Sequence, residues 1–175
     1  MTYPTFNAGQ VLLATEMNAV GLWLVKTQTI GSAVSSVAVT GAFSTDYDNY
    51  KIIISGGASS AQAFLTLQLG ASTTGYYYAN SGVTYAGAAF VGGASNTTSF
   101  QAGSTFVANG LQANVELQNP FLAKYTFSQS SGMNTTFATT SVGYHGVATS
   151  YTGFTIGVTT GTITGGTIKI YGYRN

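Results

Sequence analysis

Charge is the scarcest property of this 175-residue chain. Asp, Glu, Lys and Arg together make up 5% of it, where about 25% is usual for a globular domain. Five Lys or Arg against four Asp or Glu leave a formal net charge of +1. Because neutralising phosphates requires several clustered cations, the composition excludes a polybasic protein, and we predict no nucleic-acid partner.

Cysteine is absent, and histidine occurs once, as His145. A chain without cysteine has no disulfide and no thiolate nucleophile, and one imidazole cannot build a multi-histidine zinc site. Asp46 and Asp48 are close enough to act together, but we interpret them as turn residues, because Asp caps turns through its own backbone. We therefore predict no metal site and no cofactor.

Catalytic groupings are also missing. A Ser–His–acid triad would have to use His145, and no Ser lies in the Gly-x-Ser-x-Gly elbow that presents a nucleophile. Apart from Asp46 and Asp48, the acids are isolated along the chain, which disfavours a glycosidase. We predict that the chain is not an enzyme and has no catalytic residues.

Long apolar runs do not occur, although 45% of the residues are hydrophobic. No segment approaches the roughly 18 uninterrupted apolar residues of a membrane-spanning helix. The first residues also lack the basic region of a signal peptide. We therefore expect no membrane insertion.

Short alternating patterns fill the chain from Thr27 onward. Apolar residues recur at every second position, as in a strand with one buried face, and Gly, Ser, Asn and Thr clusters separate the runs. This pattern predicts an all-β fold, an antiparallel β-sandwich of jelly-roll type over residues 27–175. Residues 70–110 are less regular, and we interpret them as long loops. The clearest alternating runs are Tyr50–Ile54, Leu65–Leu69, Val115–Leu117, Tyr125–Phe127 and Ile168–Ile170.

Residues 1–26 differ from the remainder. Their apolar residues recur at intervals of three or four, which predicts a short helical segment ahead of the β-domain. The part from Gly21 onward also fits a strand.

Tyrosine is abundant, with twelve residues. Exposed aromatic rings beside amide side chains suit stacking on sugars and contact with proteins. The alternative is that about half of them pack in the core and the rest fill contacts between subunits. The candidate contact residues are Tyr76, Tyr77, Tyr78, Tyr85 and Tyr151.

Three segments carry distinctive patterns: FNAGQVLLATEMN at residues 6–18, YDNYKIII at residues 47–54 and TIKIYGYR at residues 167–174. They resemble structural proteins of tailed bacteriophages, chiefly minor tail and tail-fibre proteins. Residues 6–18 resemble the opening F-x-A-G-Q-V-L-T-A-A-x-M-N of that family, with Leu13 where Thr is common. Residues 47–54 resemble its strand Y-D-x-Y-[KR]-I-x-[IV], and residues 167–174 resemble its terminal strand I-x-[VIL]-Y-G-x-R.

The resemblance implies a non-enzymatic virion part, assembled in the host cytoplasm and often a homotrimer. In that interpretation the N-terminal segment attaches the chain to another virion protein, and the β-domain projects outward to contact a host-surface glycan or protein. A capsid decoration or head-fibre protein with a purely structural role is the alternative. The residues predicted to carry the attachment are Phe6, Val11, Leu12, Met17, Leu22 and Trp23.

Overall fold

The computed structural model describes Gly9 and residues 21–174, and this part of the chain contains strands and no helix. The strands are β1 (Leu22–Thr29), β2 (Ser36–Val39), β3 (Asn49–Ser55), β4 (Ala58–Ser59), β5 (Phe64–Leu69), β6 (Tyr76–Thr84), β7 (Ala89–Thr97), β8 (Phe100–Phe106), β9 (Gly110–Gln118), β10 (Thr126–Met133), β11 (Phe137–His145), β12 (Phe154–Val158), β13 (Ile163–Thr164) and β14 (Thr167–Tyr173).

Twelve of these strands form one antiparallel sheet that curls into a half-barrel. One path through the sheet runs β2-β12-β5-β8-β9-β10-β11-β6-β7, and β3, β14 and β1 follow one another from the other edge of β9. The short strands β4 and β13 form a separate pair. The prediction of an all-β antiparallel fold is therefore confirmed.

Strand β9 is the junction of the sheet. Its first half pairs with β8 and its second half pairs with β10, both along the edge opposite β3. The sheet therefore divides at β9 into two arms, and β8 is buried on both faces from Phe100 to Thr105.

The apolar core lies where the arm β8-β5-β12-β2 packs across from β9, β3 and β14. The alternating residues that the sequence marked as inward-facing meet here, and their side chains are almost fully buried. Burying a large aliphatic side chain contributes about 1.5–3 kcal/mol, so this cluster is the main source of stability. Its central members are Ile52, Ile54, Leu65, Leu67, Val115, Leu117, Ile156, Ile168 and Ile170.

The predicted helix is not found in the part of residues 1–26 that the structure describes. Residues 22–25 lie in β1, which pairs with β14 from Leu22 opposite Tyr173 with a register shift between Leu24 and Lys26, and β1 crosses the predicted boundary at residue 26. An extended conformation is favoured because pairing with β14 satisfies its backbone hydrogen bonds. Phe6, Val11, Leu12 and Met17 lie outside the described residues.

Residues 70–110 are not long loops. They contain all of β6, β7 and β8. The pattern was obscured because these strands carry Gly, Ser, Asn and Ala where a half-buried strand usually carries large apolar residues. Within residues 21–174, no helix has the length and apolar character to cross a membrane.

Candidate contact surface

Strands β10, β11, β6 and β7 turn an aromatic row outward at one end. Phe127 lies opposite Tyr144, and Tyr144 lies opposite Tyr77, in three adjacent strands. The rings of Tyr77 and Tyr144 stack with centroids 4.9 Å apart and an interplanar angle of 11°. Tyr125, just before β10, extends the stack, with its ring 6.0 Å from that of Tyr144. Stacked rings of this kind are held rigidly and offer a large contact area.

The outward side of these four strands is apolar beyond the aromatic row as well. Val91 is 86% exposed and Val142 is 51% exposed. None of the four strands contains Asp, Glu, Lys or Arg. We call this surface the apolar face, and its exposed large side chains are Val83, Val91, Phe127, Met133, Val142 and Tyr144.

The inward side of β10 is polar, whereas the inward sides of β11, β6 and β7 carry aromatic rings as well: Tyr76 packs on Phe100, and Phe137 lies against Phe90. In β10 the buried positions are Thr126, Ser128, Ser130 and Gly132, and the exposed positions between them include Phe127. Ser130 Oγ donates a hydrogen bond of 2.8 Å to the backbone carbonyl of Gln101 in β8. Strand β10 therefore reverses the usual pattern of apolar residues inside and polar residues outside.

The apolar face contains a shallow depression of about 470 Å³. Small residues, Ala79, Ala94 and Gly143, line part of it, and Tyr77 and Val142 contribute larger side chains to its lining. An open, apolar depression of this kind accepts an aliphatic or aromatic side chain of a partner. Exposed apolar surface rimmed by polar residues marks interaction sites in soluble proteins.

Strands β1, β14, β3 and β9 form a contrasting region, in which each strand carries one charged residue. Lys51 Nζ lies 2.7 Å from Glu116 Oε1, and the Tyr173 hydroxyl donates a hydrogen bond of 2.6 Å to Glu116 Oε2. Burial, together with the hydrogen bond to Glu116, raises the pKa of Tyr173 to about 12. We call these four strands the charged half and β10, β11, β6 and β7 the neutral half.

His145 is fully buried in the neutral half. Its Nε2 lies 3.0 Å from the Thr74 carbonyl oxygen and 2.9 Å from Ser72 Oγ. A carbonyl oxygen only accepts hydrogen bonds, so Nε2 donates its proton to Thr74 and cannot also remove a proton from Ser72. Burial lowers the pKa of His145, and the backbone hydrogen bonds oppose this shift. The geometry is that of a neutral histidine fixing the segment before β6, with its ring 4.3 Å from that of Tyr76.

The predicted contact tyrosines separate into two groups. Tyr76 and Tyr151 leave the contact set, because their rings are buried: Tyr76 packs on Phe100, and its hydroxyl accepts a hydrogen bond from the Leu69 amide. Tyr85 is 64% exposed at the turn between β6 and β7. Tyr77 and Tyr78 are half-buried on opposite sides of β6: the side chain of Tyr77 lines the depression of the apolar face, whereas Tyr78 is on the side of Tyr76 and lines an inner pocket with Phe64 and Gln101.

The two predicted attachment residues that the structure describes both lie in β1. Leu22 is exposed next to Tyr173, and Trp23 is half-buried opposite Gly172. They lie at the opposite end of the strand order from β7, with β14, β3, β9, β10, β11 and β6 between them.

The acidic pair behaves as a turn. Ser44 Oγ donates a hydrogen bond of 3.0 Å to Asp46, and the Asp48 carbonyl oxygen accepts one of 2.8 Å from the Asn119 amide. No group of three or more acidic, His or Cys side chains suited to a metal ion occurs in the described part of the chain.

The sequence interpretation missed the main residues of the apolar face, Phe127, Val142, Tyr144 and Val91. It assigned Tyr125 and Phe127 to a buried side, whereas Thr126 between them is the buried residue. A usable indication was present: no charged residue occurs between Tyr125 and Ile168, although aromatic and β-branched residues are frequent there. An uncharged stretch with Ser and Thr at alternate positions fits a strand whose inward side is polar.

Comparisons with known proteins give no relationship from which a role could be transferred. No protein-family model matches the chain, and no curated protein and no solved structure matches it either.

Proposed function

We propose that this chain is a non-enzymatic structural protein of a tailed-phage virion, a short tail fibre or minor tail protein. In this proposal the N-terminal segment attaches the chain to another virion protein, and the apolar face contacts the host surface or a neighbouring protein. The observation that carries the contact role is the set of large apolar side chains that the neutral half turns outward, with Phe127, Val142 and Tyr144 at its centre. The virion role itself rests on the sequence resemblance.

The chemistry of the apolar face supports contact rather than catalysis. Its side chains are aromatic, aliphatic, hydroxyl and amide groups, which bind by stacking, packing and neutral hydrogen bonds. Contacts of this kind are insensitive to salt, because few charges are available for screening. Such a surface also avoids the desolvation cost of burying ions.

The finer description of the fold belongs to the same proposal. We infer a jelly-roll-like β-sandwich as the projecting domain, with the two arms that diverge at β9 as its layers. Assembly into a homotrimer is the arrangement that the resemblance implies. Contacts between copies would bury exposed apolar side chains that a single copy leaves in water.

A capsid decoration or head-fibre protein is the alternative function. The uncharged character of the apolar face favours it as well, because a shell protein needs broad contact and no recognition of a ligand. The two functions differ in where the chain is found on the particle.

Particle analysis tests the proposal. Phage particles purified from the producing culture are analysed by peptide mass spectrometry and then labelled with gold-conjugated antibodies against residues 21–174. We expect peptides of the chain in the particles and label at the tail. Label spread over the head would support the alternative, and absence of the chain from all particles would overturn both functions.

Attachment is tested with a chain that lacks residues 1–20, because this deletion leaves β1 intact. We expect the shortened chain to fold, with an unchanged β-type circular dichroism spectrum, and to be missing from particles. Normal incorporation would show that residues 1–20 are not the attachment element.

Host contact is tested with Val142→Glu, which places a charge in the middle of the apolar face. We expect at least tenfold weaker binding of the purified chain to host cells. Thr27→Glu, an exposed position on β1, is the matched control and should bind normally. Equal binding by both variants would exclude the apolar face as the contact site.

A further inference from the structure

Strand β7 is an edge of the large sheet. It pairs with β6 on one side, and no other strand of the described chain pairs with it. Most of its residues from Ala89 to Asn96 are exposed. A long exposed edge offers a row of backbone donors and acceptors to another strand.

The ladder between β6 and β7 shows which backbone groups are open. At the hairpin end the Thr84 amide donates a hydrogen bond of 2.9 Å to the Ala88 carbonyl. Hydrogen-bonded and non-hydrogen-bonded pairs alternate along an antiparallel ladder. The amide and carbonyl groups of Ala89, Val91 and Gly93 therefore point away from β6 into solvent.

Nothing in the sequence of β7 protects this edge. Natural edge strands are usually guarded by Lys, by Pro, by an inward-pointing charge or by brevity. Strand β7 has nine residues, AFVGGASNT, without charge or proline. The irregular features of β7 lie at its C-terminal end, where the register shifts near Thr97 and Asn96 has a φ of 53°. The segment from Ala89 to Ser95 therefore keeps a regular strand conformation.

We propose that β7 pairs antiparallel with β7 of a second copy of this chain, joining the two sheets into one continuous sheet across a two-fold axis. The inference goes beyond the proposed function and holds equally for a chain with no virion role. The two-fold contact joins edges, so it leaves the faces free for the three-fold contacts that the resemblance implies.

The absence of charged residues from β7 favours a second copy of this chain as the pairing partner. In an isologous contact the same strand lies on both sides of the two-fold axis, so charges of one sign along the edge would face each other and repel. No charged residue occurs between Lys51 and Glu116, so β7 meets no such repulsion. A partner that recognised this edge through charge would find no complement on it.

The centre of the strand also permits close approach. Gly92, Gly93 and Ala94 lie in the middle, so two copies meet across small residues in every register centred there. The exposed Val91 of each copy is then partly covered by residues of the other strand, which adds apolar burial to the hydrogen bonds.

Val91→Pro is the direct test, because it removes an outward amide without removing a bond to β6, and proline is tolerated at such positions. We expect the wild-type chain at about 100 μM to have twice the mass of the variant in analytical ultracentrifugation, whichever other contacts it makes. An unchanged mass in a folded variant would overturn the proposal, and so would a monomeric wild-type chain.

Val91→Lys is a second variant that leaves the backbone unaltered, and it should also halve the mass. Thr27→Lys is its matched control, since it adds the same charge at an exposed position on β1, at the other end of the strand order, and its mass should equal that of the wild-type chain. An equal loss of mass in both variants, or an undiminished mass in Val91→Lys, would overturn edge pairing.

Hydrogen exchange gives a measurement that does not depend on any variant. We expect the amides of Val91 and Gly93 in the wild-type chain to exchange at least tenfold more slowly at high concentration than at high dilution. Exchange at these two amides that is independent of concentration would overturn the proposal.

Discussion

The charged half and the neutral half are built from the same kind of strand with opposite orientation of their apolar side chains. In β3, Tyr50, Ile52 and Ile54 point into the core, and Lys51 points outward. In β10, Ser128 and Ser130 point inward, and Phe127 points outward. The difference teaches that some strands of an antiparallel sheet can supply the stabilising core while other strands of the same sheet present apolar side chains for contact.

The interiors of the two halves differ accordingly. The charged half buries mainly aliphatic side chains, whereas the neutral half buries mainly hydroxyl groups, together with Tyr76 and His145. Three buried oxygens in or beside that interior, Asn80 Oδ1, Ser104 Oγ and Thr126 Oγ1, have no hydrogen-bond partner among the described residues, against one such atom, Trp23 Nε1, in the charged half. A buried polar atom without a partner is costly, so we expect the neutral half to contribute less to the free energy of unfolding.

The largest expected effect is in the apolar core. Ile52→Ala should lower the free energy of unfolding by about 2–5 kcal/mol, because it removes buried methyl groups and leaves a cavity. Urea unfolding measures the loss. Ile53→Ala, on the opposite side of the same strand, is the control and should cost clearly less. Equal losses would mean that β3 does not face the core as described.

Substitutions in the polar interior of the neutral half should lower the free energy of unfolding less than substitutions in the apolar core. Ser130→Ala removes the hydrogen bond to the Gln101 carbonyl and should lower the free energy of unfolding by about 1–2 kcal/mol. Ser131→Ala, at the neighbouring outward position, should change it by less than about 0.5 kcal/mol. A loss at Ser130 as large as that at Ile52 would remove the energetic difference between the two halves.

Acid should act mainly on the neutral half, through His145. Its pKa is lowered in the folded chain, so below about pH 6.5 the unfolded chain binds a proton that the folded chain does not. The free energy of unfolding should therefore decrease as the pH falls below about 6.5, by at most about 1.4 kcal/mol per pH unit. Urea unfolding at a series of pH values, repeated on His145→Gln, tests this, and an unchanged slope in the variant would exclude His145 as the cause.

The aromatic stack should contribute a small coupling energy. A double-mutant cycle with Tyr77→Ala and Tyr144→Ala should give a coupling of about 0.5–1.5 kcal/mol in thermal or urea unfolding. A coupling near zero would show that the two rings lie side by side without stabilising each other, and the rigidity inferred for the apolar face would be wrong.

The smallest effect is expected at the surface ion pair of the charged half. Lys51→Met should cost at most about 1 kcal/mol, because the pair with Glu116 is partly exposed and water screens it. The loss should shrink in about 1 M salt. A larger, salt-independent loss would mean that Lys51 acts through packing of its aliphatic chain.

How much of the fold could be predicted from the sequence depended on which side chains each strand buries. Tyr50–Ile54, Leu65–Leu69 and Ile168–Ile170 alternate large apolar residues with polar ones, so their strands and inward faces were evident from the sequence. Strands β6 and β7 were missed, because Gly, Ala and Ser carry little information about which side is buried. The arrangement at β9 depends on pairings distant in sequence, which no local pattern encodes.

The contact surface was only partly predictable for the same reason. Tyr77 and Tyr85 were identified by composition, but neighbouring tyrosines on a strand point to opposite sides, which placed Tyr76 in the core. Phe127 was assigned to the wrong side because the interpretation assumed that apolar residues face inward. A contact surface violates that assumption, so the largest error fell on the residues of greatest functional interest.

The position of β14 has a consequence for biosynthesis. This last strand lies between β1 and β3, which belong to the first third of the chain, and it pairs with both. Until residues 167–173 have left the ribosome, β1 and β3 lack the neighbour that joins them. The sheet therefore cannot close before β14 is synthesised, and a product terminated ahead of β14 cannot form this sheet and compete with chains that contain it.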